Sequence, residues 1–504
     1  MWRIKLTFFI LMSITICSAQ KNDYHWLHGY DYGIKQDTFI WGVNHLNFNN
    51  TPFTITRDSL AMWFNRTSTT VSDDTGALLF YTNGIYIANS YNEKVQGSDS
   101  MNAGYVSYVW DPDIGKHGYR TPQGIIALQQ PDSPNIYHLI HSFTDTFGTY
   151  LHIPKILETV LDVKRNNGHG QVISKNRTIL QGGNYGGAQK AVKHANGKDW
   201  WLVVHKRPSY FQKLLLTSKG WQLDSVQDFS VVQSTIDDID IATFSPDGSK
   251  YVFLGSTGGL CIFDFNRCTG NLSNLVNIPL PIINDSTWIG IGVEISPNSR
   301  YLYVSITKRI YQYDLQASDI AGSAILVAQY DGFFEDYPII QTLFCTSQLA
   351  PDGKIYMNTG NGTHYYHVIE NPNLAGLNCN VNQHGVNLLG YCLGIPNYPN
   401  YRLGALQGNC GVGIIEPLAA GAVRMYPNPS QGNCIVDYGQ IEWEQSTDVQ
   451  LHITDVLGAL VYHTKLPEYS GIHALHMDDW NSGLYIVTLL QRGQQIWRGK
   501  LVKE

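Results

Sequence analysis

No Cys-x-x-Cys pair, no Gly-x-Ser-x-Gly elbow and no loop ending in Gly-Lys-Ser or Gly-Lys-Thr occurs in this chain. The first absence argues against a structural zinc site, the second against a nucleophile-elbow hydrolase, and the third against a nucleotide phosphate cradle. Charge is scarce as well: 15% of residues are charged and the net charge is −7. That balance argues against nucleic acid or an anionic membrane as partner, because both demand a basic surface. Sustained 3.6-residue periodicity is almost missing. The best helix candidate lies near Pro154 to Leu161, where β-branched Thr159 and Val160 weaken it. Beyond residues 6–16 no apolar run approaches the ~20 residues of a membrane span, so the mature chain is expected to carry no transmembrane segment.

What is abundant is Gly (47), Tyr (31) and Trp (12), a mix suited to short twisted strands joined by tight turns. At 504 residues the chain exceeds one ordinary compact domain unless its architecture repeats, and it does repeat. Ile-Ala-Thr-Phe-Ser-Pro-Asp-Gly from Ile241, Gly-Val-Glu-Ile-Ser-Pro-Asn-Ser from Gly292 and Ser-Gln-Leu-Ala-Pro-Asp-Gly from Ser347 each read strand, turn, strand. Pro fixes the turn entry, and Asp, Asn or Gly accepts the left-handed exit. Degenerate copies begin at Ala191, Gln129 and Ser72. A spacing of roughly 50–60 residues matches one four-stranded blade of a β-propeller. The predicted fold is therefore all-β: a propeller over 24–408, seven-bladed, with six blades the runner-up. The seventh blade is expected to be composite, built from Thr-Phe-Ile-Trp-Gly-Val-Asn-His-Leu near the N-terminus and a strand near Tyr391 to Leu406, which would satisfy the open edges.

Arg3 and Lys5, the apolar stretch Leu6 to Ile16 and the small residues Cys17-Ser18-Ala19 read as a signal peptide over 1–19, cut before Gln20. Lipidation at Cys17 is the rival reading, and the bulky Ile16 disfavours it. In an oxidising compartment disulfides are allowed. Cys261 with Cys268 is one candidate hairpin staple and Cys379 with Cys392 another.

The C-terminal residues are the most specific part. Tyr-Pro-Asn-Pro-Ser-Gln-Gly-Asn-Cys begins at Tyr426, Leu-His-Ile-Thr-Asp-Val-Leu-Gly-Ala at Leu451, and Gly-Leu-Tyr-Ile-Val at Gly483, before a final Gly-Lys-Leu-Val-Lys-Glu. In this order and flush with the C-terminus, these residues resemble the type A sorting domain of the Bacteroidetes type IX secretion system. The resemblance covers 422–504 and implies a small antiparallel β-sandwich after a linker at 409–421. It places Pro427, Asn428, Pro429, Gly432, Asp455, Gly458, Gly483, Tyr485 and Lys500 at the sorting motif's positions. It further implies the type IX machinery as partner, passage through the periplasm, and release or attachment at the outer-membrane surface. The segments from Pro351, Asn371 and Leu393 resemble the closing portion of propeller-like domains in large exported Bacteroidetes surface proteins, which supply no active site.

Asp237, Asp238 and Asp240 form the densest carboxylate cluster, and oxygen-rich clusters of this kind could hold Ca2+. Without Asp-x-Asp-x-Asp-Gly spacing, the plainer reading is a solvated acidic loop and no cofactor. The 17 histidines include no convergent set; His138 and His141, three apart on a strand, point to opposite faces. Trp288 is the first candidate for an aromatic glycan or peptide platform, against packing between blades. Thr243, Glu294 and Gln348 are equivalent in the repeat and only Glu294 is charged, so Glu294 is a candidate ligand contact. No catalytic residue is assigned and the chain is read as a binding protein rather than an enzyme. The expected function is an exported binding module for an extracellular glycan or protein. The alternative is a secreted propeller enzyme acting on extracellular polymers, as a lyase, hydrolase or quinone-dependent dehydrogenase.

Deleting residues 422–504 is expected to strand the chain in the periplasm, and fusing them behind a signal peptide and an unrelated passenger to export the passenger. Fractionation and surface labelling check both, and a truncated chain still reaching the surface would overturn the sorting assignment.

Overall fold

The computed structural model describes residues 20–30, 42–110, 117–148, 150–230, 240–255, 259–279, 290–335, 340–406, 423–439, 449–456, 459–466, 471–491 and 494–504. The expected signal peptide, the linker, Asp237, Asp238, Trp288 and Gly458 lie outside them. Two compact units divide the chain, 1–406 and 407–504. The α-helix among the described residues is the single short stretch Tyr105–Trp110. The helix candidate near Pro154 is instead part of the strand Tyr150–Asp162, where Thr159 and Val160 suit a pleated surface.

The first unit is a β-propeller. Among its described residues seven sheets follow one another along the chain, at 25–58, 69–89, 125–181, 190–228, 240–278, 291–329 and 347–392. We number them blades 1 to 7. Blades 1 and 2 have three strands and the others four, each an antiparallel meander; a separate two-stranded ladder joins Phe334–Glu335 to Ile340–Gln341. The first strands, such as Thr69–Ser72, Asp240–Phe244 and Ile291–Ile295, are buried along nearly their whole length. Apolar clusters fill the gaps between blades. One of them packs Ile241, Val252 and Ile262 of blade 5 against Val293, Leu302 and Val304 of blade 6.

The six repeat turns are the first turns of blades 2 to 7. In blade 5 the Asp247 carboxylate accepts from Ser249 N at 2.9 Å, and Gly248 takes φ +74°. Asn298 and Ser299 fill those roles in blade 6, Ser299 at φ 59°, and Asp352 and Gly353 in blade 7. The sequence between the first two strands of blade 1 carries no Pro-Asp-Gly or Pro-Asn-Ser, which is why six and not seven are legible.

Ring closure differs from the composite blade expected. Blade 1 is built from N-terminal strands alone and blade 7 from Ser347–Leu349 through Val381–Cys392. Between them the Asn44 amide, fully buried in blade 1, grips the last strand of blade 7 as a neighbouring peptide would. Its Oδ1 accepts from Leu389 N and Gly390 N and its Nδ2 donates to Gly390 O, all at 2.8 Å.

Residues 393–406 form no strand; they cross the inside of the ring. Pro396 and Pro399 lack the N–H a ladder needs, and Asn and Tyr side chains bond to the blades instead. Asn397 N donates to Ser68 O, and its Nδ2 donates to Ile125 O and Gln189 O, both at 2.9 Å. Tyr398 OH reaches His25 O and Tyr401 OH reaches Ala127 O, each at 2.8 Å. Asn400 reaches Pro246 O, and Tyr366 OH donates to Gly394 O. Blades 1 to 5 and 7 are thereby tied to one segment.

The second unit is a sandwich of a three-stranded and a four-stranded antiparallel sheet. Val436 and Leu475 of one sheet and Leu451, Val487 and Leu501 of the other share its core. Pro427 and Pro429 flank Asn428 in a bend after the strand Arg424–Tyr426. Asn428 Nδ2 donates to Lys500 O at 2.7 Å, and Val502 N donates to Asn428 Oδ1 at 2.9 Å. The bend that opens this unit and its C-terminal strand are thus joined by hydrogen bonds. A Cβ on Gly432 would lie 2.5 Å from Asp478 Oδ1. Asp455 closes a turn through Ala459 N, while Tyr485 is buried with its OH on Asn481 O. Gly483 opens the strand that pairs with the C-terminal one.

Replacing Asn44 by Ala leaves two backbone N–H groups and one C=O at the closure without partners, at a loss of about 3 kcal/mol. Denaturant unfolding checks this; an unchanged midpoint would show that the closure does not rest on Asn44.

A candidate ligand cavity at the channel mouth

The repeat turns surround a cavity. Pro246, Pro297 and Pro351 come from the first turns of blades 5, 6 and 7, and Pro399 from the channel segment; together they line a space of about 250 Å³. Thr243, Glu294 and Gln348, the repeat-equivalent residues, all line it. Strand alternation explains why, since equivalent positions in successive first strands face the same way. Val192 holds that position in blade 4, and Lys190, two residues earlier on the same face, lines the cavity as well. Asp23, Tyr398 and Arg402 complete the polar wall, and half-buried Phe244 supplies an aromatic surface backed by Tyr251 and Phe265 at ring distances of 4.8 and 5.0 Å.

The polar groups are unequally satisfied. Arg402 and Asp23 form a bidentate pair at 2.5 and 2.7 Å. Glu294, 3% exposed, accepts from Thr243 Oγ1 at 2.9 Å, Ile295 N at 3.0 Å and Leu349 N at 3.1 Å. Lys190, also 3% exposed, makes one long hydrogen bond, from Nζ to Tyr398 O at 3.4 Å. An ammonium carries three donors, so most of its capacity is unused. Burial pushes Lys190 down to about 8, against which the Glu294 charge pulls upward. Burial pushes Glu294 up, opposed by Lys190 and by the three donors.

Other sequence candidates lie elsewhere. Asp240 does not sit in a solvated loop: it is buried at the far end of its strand, with Arg207 Nη2 on Oδ2 at 2.8 Å. Among the described residues no group of three or more His, Cys, Asp or Glu is placed to hold a metal ion. His138 and His141 are both buried and bonded, His138 to Glu158 at 2.6 Å and His141 to Asn102 at 2.7 Å. Glu158, fully buried, also accepts from Arg177 Nε at 2.8 Å, and these partners outweigh burial and hold its carboxyl low. Cys261, Cys379 and Cys392 are free buried thiols, so neither expected staple forms; Cys268 is disulfide-bonded, but not to Cys261. Cys261 points into the packing between blades 4 and 5 beside Phe253 and Phe263, away from the turn that carries Cys268.

Lys190, Asp23 and Arg402 escaped the sequence reading, whereas Tyr398 is one of the aromatic residues it offers as a glycan or peptide platform, and it does line the cavity. Lys190 was detectable as a lysine on the channel-facing alternation. Arg402 was not, because its segment read as a strand.

Residues 424–504 match the secretion system C-terminal sorting domain. The chain is accordingly exported by the type IX system of Bacteroidetes, to the medium or the cell surface, and no helix among the described residues is long and apolar enough to cross a membrane. An ulvan lyase of Nonlabens ulvanivorans is 33% identical over 81 residues, which is 16% of this chain and 14% of that protein. Among solved structures, a functionally unknown protein from Desulfotomaculum acetoxidans is 11% identical, over 70% of this chain and 96% of its own, at a TM-score of 0.35. A β-propeller domain from Myceliophteria thermophila is 9% identical, over 63% and 87%, at 0.34. At such scores the propeller is read from this chain's own sheets.

Between about pH 8 and the ordinary lysine value of 10.5, the unfolded chain keeps a proton that folded Lys190 has released. Its contribution to stability therefore rises with pH across that window and is a constant burden below it. Lys190→Met should raise stability at pH 7 by roughly 3 kcal/mol and by much less at pH 10. Denaturant unfolding at both values reads the difference, and a variant less stable than the parent at pH 7 would refute it.

Proposed function

We propose that this protein is an extracellular recognition module: a propeller delivered by its sorting domain that binds a glycan or another protein at or beyond the cell surface. The observation that carries the reading is the cavity at the channel mouth. Its rim is stiffened by four prolines, and its wall holds a buried lysine with unused hydrogen-bonding capacity. Stiff rims and preset polar groups lower the ordering cost of binding. The likeness to the ulvan lyase spans too little of that protein to bring its activity here.

A second reading rests on the same pair of side chains. Lys190 and Glu294, shifted toward each other in one cavity, are the kind of groups that move protons in lyases and hydrolases.

Glycan and protein arrays probed with residues 20–504 test the first reading, followed by mass analysis of whatever is bound. Retention of an unaltered ligand is expected. Conversion of the ligand would favour the enzyme, and no saturable binding to any glycan or protein would overturn the recognition module.

A further inference from the structure

The ligand's class follows from what the cavity offers, given the recognition reading above. An ion is disfavoured, because the formal charges cancel: Lys190 and Arg402 are matched by Glu294 and Asp23. Arg402 and Asp23 are spent on one another in a bidentate pair. An anion entering beside Lys190 would face Glu294, and a cation entering beside Glu294 would face Lys190. A purely apolar ligand is disfavoured too, since it would seal Lys190 off from water with donors unmet.

A group that both donates and accepts meets every requirement. A hydroxyl can accept from Lys190 Nζ while donating to an oxygen of Glu294 or Gln348. Several hydroxyls on one small ring can meet several such positions at once. Phe244, held by Tyr251 and Phe265, offers a flat apolar face against which the C–H side of such a ring stacks. The size agrees: about 250 Å³ lies just below the roughly 300 Å³ at which drug-sized pockets begin, which leaves room for one ring and little more. We infer that this cavity is a binding site for a single neutral, polyhydroxylated ring, such as the terminal uncharged sugar of a glycan. Lys190 and Glu294 are its polar contacts and Phe244 its platform.

The test uses residues 20–504 and a panel of simple probes. These are the methyl glycosides of glucose, galactose and mannose, with methyl glucuronide as the anionic and glucosamine as the cationic counterpart. Saturation-transfer NMR titrations are expected to give saturable binding of at least one neutral glycoside, at least tenfold tighter than either charged probe. Lys190→Met and Glu294→Gln should each weaken it at least tenfold. Circular dichroism and the unfolding midpoint are read on every variant. Lys190→Met is expected to be no less stable than the parent, so a loss of binding there is not a loss of fold. No saturable neutral glycoside, preference for a charged probe, or binding untouched by both variants would each overturn the assignment. If the arrays find a protein or glycan ligand whose binding ignores both variants, the recognition module stands and this cavity assignment falls. If a neutral glycoside binds here and is chemically altered, the cavity stands and the binding-only reading falls.

Discussion

Seven first strands arranged around a channel each turn an edge of backbone N–H and C=O groups inward, and buried groups of that kind need partners. Residues 393–406 supply several of them in blades 1 to 4. The segment offers side-chain amides, phenolic hydroxyls and its own peptides to His25 O, Ser68 O, Ile125 O, Ala127 O and Gln189 O. The composition of the segment follows from this role. Asn and Tyr reach sideways to bond, and Pro keeps the chain from pairing as a strand. A composite blade would have tied the first blade to the last. A channel segment ties six blades to a common element, and it brings Tyr398 and Arg402 to the mouth, where the cavity lies.

The same solution recurs at two other junctions that have no full ladder. Asn44 grips Leu389 and Gly390 at the ring closure, and Asn428 grips Lys500 and Val502 in the sorting domain. In each case one amide presents the acceptor and donor of a missing peptide. This gives the Tyr-Pro-Asn-Pro signature a physical meaning. The prolines hold the bend, and the asparagine between them pairs with the terminal strand, so the start and the end of this unit are held to one another.

How much of this was legible in the sequence depended on whether the information was local. The turns at Pro246, Pro297 and Pro351 could be read because Pro, Asp and Gly act within four residues, and they gave the blade period and the equivalence of Thr243, Glu294 and Gln348. The closure was not legible, since nothing in Leu393 to Leu406 announces that its partners lie hundreds of residues away. The cysteines misled for a related reason. Closeness along the chain suggested a Cys261–Cys268 staple, whereas strand alternation directs Cys261 into the interblade core. Asp240 shows the converse error, an acidic residue read as solvated that is buried against Arg207.

Lys190 is a residue that packing does not explain. The buried ion pairs elsewhere have close partners: Arg207 meets Asp240, and Glu158 meets His138 and Arg177. Lys190 has a carbonyl at 3.4 Å and the field of Glu294. A methionine there would fill similar space without the desolvation, so packing alone gives no reason for a charge at that position. Local departures from what a stable fold favours concentrate at functional positions. Glu294 tells the same story from the other sign, because its three donors come from its own and neighbouring first strands and none is a cation. Two opposite charges, each set by the blades and neither consumed by the other, leave a cavity that is neutral overall and polar at two points. That is an environment better matched by hydroxyl groups than by an ion or a hydrocarbon.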